Sequence, residues 1–163
     1  MNISVLCTMP GSNYYRIPNL DCWDVKRNAF NFTGSNPVIT HAPCPQWSRM
    51  KAFAKYNQRD RLLAYFCWDV VNTNGGIFEH PAGSSFFNHV GADWNKIISI
   101  DQMWFGFPAR KRTYLYFNKC IPLQYPISFD CPVKLVEYMS SSMRSRQPLS
   151  LCKWLVDCAD KKF

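Results

Sequence analysis

Cys44 stands between two prolines in the run Thr40-His41-Ala42-Pro43-Cys44-Pro45-Gln46-Trp47-Ser48-Arg49. Proline fixes its own φ and restricts the residue before it, so this thiol is carried on a stiff turn. A thiol so placed is a candidate nucleophile, and His41, three residues upstream, is a candidate base for it. Read conservatively, the same cysteine is a small buried hydrophobe, and His41 a structural histidine near a turn. A second stretch, Glu79-His80-Pro81, sets a carboxyl beside an imidazole. These are the residue types of acid–base catalysis, and equally those of a solvated strand end. Together, His41, Cys44, Glu79 and His80 offer nitrogen, sulfur and oxygen donors of the kind that zinc or iron takes, but no local motif joins them.

The elements that must position these groups follow from the pattern of apolar residues. Ile3 to Cys7, Asp21 to Val25, Pro37 to Thr40 and Ile77-Phe78 read as strands. Between the last two, Arg59 to Asn72 carries Leu62, Leu63, Phe66, Cys67, Val70 and Val71 at helical spacing, and Asn74-Gly75-Gly76 ends it. Ala82 to Phe87 reads as the opening of a helix, with Ser84 or Ser85 as its cap. Ile97 to Trp104 and Lys111 to Phe117 read as two strands joined by a Gly-Pro loop, and Leu149 to Ala159 as an amphipathic helix. Alternating strands and helices imply an α/β fold: a single Rossmann-like domain, its sheet mainly parallel, with an antiparallel hairpin near residues 97–117. Residues 122–163 read as a C-terminal extension with a helix packing on that domain. In such sheets ligands bind beyond the carboxyl ends of the strands. Asp24, His41 with Cys44, and Glu79 with His80 all fall at predicted strand ends.

The chain of 163 residues suits one domain, and it carries a net charge of +8. Its pI is near 9.2 and its mean hydropathy −0.24. No apolar run approaches the length of a membrane span, which excludes a membrane-spanning helix. Without a basic leader at its start, the chain is expected in the cytoplasm, with its eight cysteines as reduced thiols. None of them forms a C-x-x-C pair. The positive charge favours an anionic partner, most often nucleic acid. Arg110, Lys111 and Arg112 are interleaved with Trp104, Phe105 and Phe107, a mixture suited to phosphate attraction and base stacking. Gln102 and Trp104 are candidates to read or stack a base, though Trp104 equally suits a core. Gln46 and Arg49 follow the cysteine into the same expected cleft, Arg49 as a phosphate ligand. Arg144, Arg146, Lys161 and Lys162 read as a solvated basic face.

With these residues in view, the chain resembles a trimmed DNA cytosine-5 methyltransferase, and in particular small phage-encoded proteins related to that fold. Pro43-Cys44 is similar to the family's Pro-Cys motif, whose thiolate attacks C6 of cytosine. Glu79 is similar to its strand-end glutamate, which contacts the flipped base. Phe105-Gly106-Phe107-Pro108-Ala109-Arg110-Lys111-Arg112 resembles its aromatic-Gly-x-Pro-Gln-x-Arg-x-Arg stretch. The resemblance implies a base-modifying protein acting on DNA, with S-adenosylmethionine as cofactor, Gly11 in the cofactor loop and Asp24 on its ribose. The chain departs from the family in three places. Thr8-Met9-Pro10-Gly11-Ser12 has a single glycine where the family has several, Glu-Asn is Glu79-His80, and the basic residues after Ala109 are out of register. Two alternatives stand beside it. One is a non-catalytic DNA- or RNA-binding protein, or an inhibitor of a host defence protein, on the same scaffold. The other is a metal-dependent nucleotide-processing enzyme.

Overall fold

The tetrapeptide Ile3-Ser4-Val5-Leu6, apolar but for Ser4, forms β1 (Ile3–Leu6), buried along its whole length. The computed structural model describes residues 2–49 and 51–161, with Glu137 by its backbone alone. In chain order the elements are β2 (Leu20–Trp23), β3 (Val38–Thr40), α1 (Gln58–Asn74), β4 (Gly76–Pro81), α2 (Phe86–His89), β5 (Ile97–Asp101), β6 (Arg112–Asn118), α3 (Ser141–Arg144) and α4 (Leu149–Asp160). Six strands make one sheet in the order β2-β1-β3-β4-β6-β5. β2, β1, β3 and β4 pair in parallel, with Val5 opposite Ile39 and Ile39 opposite Ile77. β6 alone runs in reverse, antiparallel to both β4 and β5. The fold is thus mixed α/β, mostly parallel with an antiparallel edge, as the alternation of elements implies. No helix among the described residues is long and apolar enough to cross a membrane.

Alternation along the strands divides the core between two faces. On one, α1 packs Ala64, Cys67 and Val71 against Leu6, Val38, Phe78 and the aromatic pair Phe86-Phe87. On the other, α4 packs Leu151, Cys152, Leu155 and Cys158 against Ile3, Val5, Ile39 and Ile77. Only the β3-to-β4 crossover contains a full helix. The link from β1 to β2 holds just a 3-10 turn at Asn13–Arg16, and α4 lies over that turn and over β1, β3 and β4, covering the face it leaves bare.

Local chemistry explains the boundaries. Asn57 caps α1 by accepting from the Asp60 amide. At its other end Gly75 and Gly76 have φ of +89° and +123°, and a Cβ at Gly76 would collide with the Val38 backbone. Glycine there lets β4 meet β3 directly after the helix. β4 is longer than Ile77-Phe78 because β6 pairs with it as far as Pro81, opposite Thr113. Glu79 and His80 therefore lie within the strand and face opposite sides of the sheet. After the Cys44 turn the chain makes a 3-10 turn at Lys51–Phe53.

Candidate functional site

The His41 amide donates to the Leu6 carbonyl at 3.1 Å, extending the β1–β3 ladder one residue past β3. Because Thr40 lies opposite Phe78, the next residue, His41, lies beside Glu79. Nδ1 of His41 is 2.8 Å from Oε2 of Glu79, and Nε2 is 2.9 Å from the hydroxyl of Tyr14. A carboxylate only accepts, so Nδ1 carries a proton, and Nε2 is left to meet the tyrosine hydroxyl. Tyr14 is fully buried under α4 and its ring is tilted against the imidazole at 5.3 Å. The side-chain amide of Gln147 closes over the group, 3.2 Å from Nδ1, and Asn13 Nδ2 donates to the Gln147 carbonyl at 2.8 Å. The side chains of His41 and Glu79 are 9% and 12% exposed, so the pair is nearly closed to solvent.

Cys44 lies on the turn after β3, where its carbonyl accepts from the amides of Trp47 and Ser48. Its thiol is pushed up to about 11, first by burial and then by the negative charge of Glu79, with Lys111 opposing. Burial also raises the Glu79 carboxyl, but the hydrogen bond from His41 and the charges of His41 and Lys111 outweigh it and hold the group below its ordinary value. Burial lowers the Lys111 ammonium, while Glu79, Cys44 and Cys152 favour its charged form. Tyr14 is raised well above the ordinary phenol value by burial, then by Cys152 and Glu79. The thiol, the carboxylate and the ammonium therefore share one electrostatic neighbourhood. Lys111 Nζ is anchored 3.4 Å from the Arg146 carbonyl and sits over the Phe107 ring.

A crevice opens beside this cluster. The strand order reverses between β1 and β3, and in open α/β sheets ligands bind at the carboxyl ends of the strands at such a switch point. A cavity of about 370 Å³ lies there, lined by Cys7, Thr8, Asp24, Asn28, Pro43 and Arg59 among others. Asp24 follows β2; its carboxylate accepts from the Tyr15 hydroxyl and the Lys26 amide. Gly11 is exposed, has φ of +74° and does not line this crevice. A larger cavity of about 550 Å³ lies at the opposite end of the sheet, lined by Lys96, Phe117, Lys119 and Cys120, far from these groups.

The remaining predicted residues are dispersed. His80 is fully buried on the α1 face among Phe78, Phe86 and Phe87. Burial depresses its imidazole to about 4. Ser84 Oγ accepts from the Phe86 amide and lies 2.9 Å from His80 Nδ1. The other ring edge faces the carbonyls of Pro43 and Ala42 without a fully aligned hydrogen bond. His80 thus supports the Cys44 turn from behind and does not join the His41–Glu79 pair. Gln102 is fully buried, its amide donating to Thr113. Gln46 donates to the Lys55 carbonyl, and Arg49 is exposed with its stem against Gly83. Trp104 stacks on Tyr125 and, with Arg110, Arg112 and Phe129, lines a separate groove of about 230 Å³. Arg110 and Arg112 thus part from Lys111, which turns toward Cys44. Arg144, Arg146 and Lys161 are exposed, while Lys162 lies outside the described residues.

Two members of the cluster, Tyr14 and Gln147, escape sequence reasoning. The Pro43-Cys44 turn and Glu79 carry a local signal, whereas Tyr14 and Gln147 reach His41 only through the packing of α4 on the sheet. Among the described residues no three His, Cys, Asp or Glu side chains gather as a metal site. No protein-family model matches the sequence, and no curated protein matches it.

Proposed function

We propose that the chain is a nucleic-acid base-modifying protein on a Rossmann-like methyltransferase scaffold, acting in the cytoplasm on DNA with Cys44 as nucleophile toward a flipped pyrimidine. One observation carries this proposal: adjacent parallel strands β3 and β4 bring Cys44 and Glu79, remote in sequence, into one charged cluster beside the switch-point crevice. The crevice has the size of a small-molecule site and bears a carboxylate, Asp24, at the end of β2, which fits the ribose of S-adenosylmethionine. Gly11 stands outside it, so the close backbone approach of a glycine-rich loop is not part of that fit. When bound, the cofactor supplies an electrophilic methyl group.

The chain's own groups have definite tasks in this scheme. The base leaves the stack to reach the cluster. Cys44 gives its proton to water, its thiolate favoured by the Lys111 ammonium, and its sulfur forms a bond to C6 of the ring as the C5–C6 electron pair moves into the ring. The ring electron pair is met by the proton held between His41 and Glu79, so the pair supports charge developing at the ring nitrogen. Tyr14 and Gln147 orient the imidazole, and His80 braces the turn. Arg49, Arg110 and Arg112 are exposed cations available to phosphates.

A second reading is favoured by two features, the raised thiol of Cys44 and the nearly closed His41–Glu79 pair. It is a non-catalytic nucleic-acid-binding protein, or an inhibitor of a defence protein, on the same scaffold. One experiment separates the two. The purified chain is incubated with a 5-fluorocytosine oligonucleotide and S-adenosylmethionine, and denaturing electrophoresis detects a covalent adduct. Catalysis predicts an adduct that Cys44→Ser abolishes while salt-sensitive binding survives. Tight binding without any adduct, unchanged in Cys44→Ala, overturns the catalytic proposal in favour of the second.

A further inference from the structure

The mechanism above leaves a pair of thiols unused. Cys7 follows β1 directly, and its sulfur is 3.6 Å from that of Cys67 on α1. The approach is a consequence of backbone conformation. In an extended strand Cys7 would face away from Leu6. Cys7 instead has φ of +60°, a left-handed conformation uncommon in residues other than glycine, and so both Leu6 and Cys7 pack on the α1 side. Such conformations are costly and persist only where the surrounding structure imposes them. Cys7 is half-buried and lines the switch-point crevice, while Cys67 is fully buried behind it. One sulfur therefore meets solvent and the other waits within reach.

We propose that Cys7 and Cys67 form a hydroperoxide-sensitive dithiol whose oxidised state is an intramolecular disulfide between β1 and α1. The sulfur of Cys7 attacks one peroxide oxygen, the O–O bond breaks, and water leaves with the thiol proton, giving a sulfenic acid. The sulfur of Cys67 then displaces the sulfenic oxygen as a second water. Two electrons pass from the thiols to the peroxide, and a dithiol reductant reverses the bond. The sulfurs must close from 3.6 Å to the roughly 2.05 Å of a disulfide, a movement within the range of side-chain rotation at Cys7. Closing draws Cys7 away from the crevice wall toward α1. The site is independent of whether Cys44 is catalytic, since the crevice and the thiol pair exist in either case.

Cys131 is exposed and serves as the internal reference for indiscriminate oxidation. The full chain is titrated with hydrogen peroxide, the remaining thiols are alkylated, and peptides are mapped by mass spectrometry before and after dithiothreitol. The expected result is a Cys7–Cys67 cross-linked peptide in the majority of molecules before Cys131 is appreciably oxidised, reversed by the reductant. Cys67→Val, which keeps an apolar side chain in the core, then leaves Cys7 to proceed to the sulfinic acid. The proposal is overturned if Cys7 reaches the sulfinic acid in the unaltered chain with Cys67 still a thiol. It is equally overturned if both stay reduced while Cys131 oxidises.

Discussion

The thiol of Cys44 offers the sharpest quantitative test, because two neighbours of opposite charge are named as its influences. Burial and Glu79 lift it from an ordinary 9.0 to about 11. At pH 8 that lift of about two units reduces the thiolate fraction about 100-fold relative to an unstructured cysteine peptide. A more basic thiolate is intrinsically the better nucleophile; a Brønsted slope of about 0.45 returns roughly eightfold over two units. Cys44 should therefore react with a small aromatic disulfide about tenfold more slowly than the free peptide at pH 8, before any steric hindrance. Hindrance scales the whole profile but leaves its shape unchanged, so shape is the decisive readout. The rate of labelling at Cys44, followed peptide by peptide in a mass spectrometer, should still climb nearly tenfold between pH 9 and pH 10. Glu79→Gln removes the neighbouring negative charge, lowers the thiol's pKa and raises the rate at pH 8, whereas Lys111→Met does the reverse. A profile that levels off between pH 8 and 9, or one indifferent to both substitutions, would refute the shared neighbourhood on which the proposed chemistry stands.

Other consequences reach stability. His80 is neutral when folded, with its imidazole near 4 against 6.5 unfolded. Between those values the unfolded chain binds more protons, so folding stability is complete above about pH 6.5 and falls as pH drops toward 4, by about 3 kcal/mol in all. Urea unfolding at pH 7 and pH 4.5 measures this loss, and His80→Gln should flatten it. Tyr14→Phe removes the partner of His41 Nε2 in a buried setting and should cost about 1–2 kcal/mol in the same assay. Gly76→Ala sets a Cβ against the Val38 backbone at a φ of +123° and should cost more than about 3 kcal/mol, seen as loss of folded protein by circular dichroism.

The frame that positions the site was open to sequence reasoning where a segment declares its own period. The helix between β3 and β4 follows from Leu63, Phe66, Cys67, Val70 and Val71, although Leu62, in the same apolar series, faces solvent. β1 and β3 announce themselves as short runs that are apolar but for Ser4 and Thr40. The extent of β4 was less visible, because pairing with β6 carries it through Glu79 and His80, polar residues that would otherwise end a strand. With that extent in hand, a period of two sends Glu79 toward Tyr14 and His80 toward the phenylalanines, so the two cannot act as one pair. The fates of Gln102 and Lys111 were hidden for a related reason. A glutamine beside a basic run suggests recognition of a ligand, but burial by the strand edge commits Gln102 to Thr113. Lys111 differs from Arg110 and Arg112 only in the direction that the chain gives it. Tyr14 meets His41 across 27 residues and Gln147 meets it across 106, contacts that no local pattern encodes.

The covering of β1 by α4 ties the earliest strand to the latest helix. During synthesis the inner surface of Ile3 and Val5 stays without its shield until residues 149–160 have left the ribosome. A nascent chain halted before that point would present a greasy, half-built sheet to its surroundings. Burial of β1 thus waits on α4, and a fusion or cut that hinders α4 should harm yield well before it alters any chemistry at Cys44.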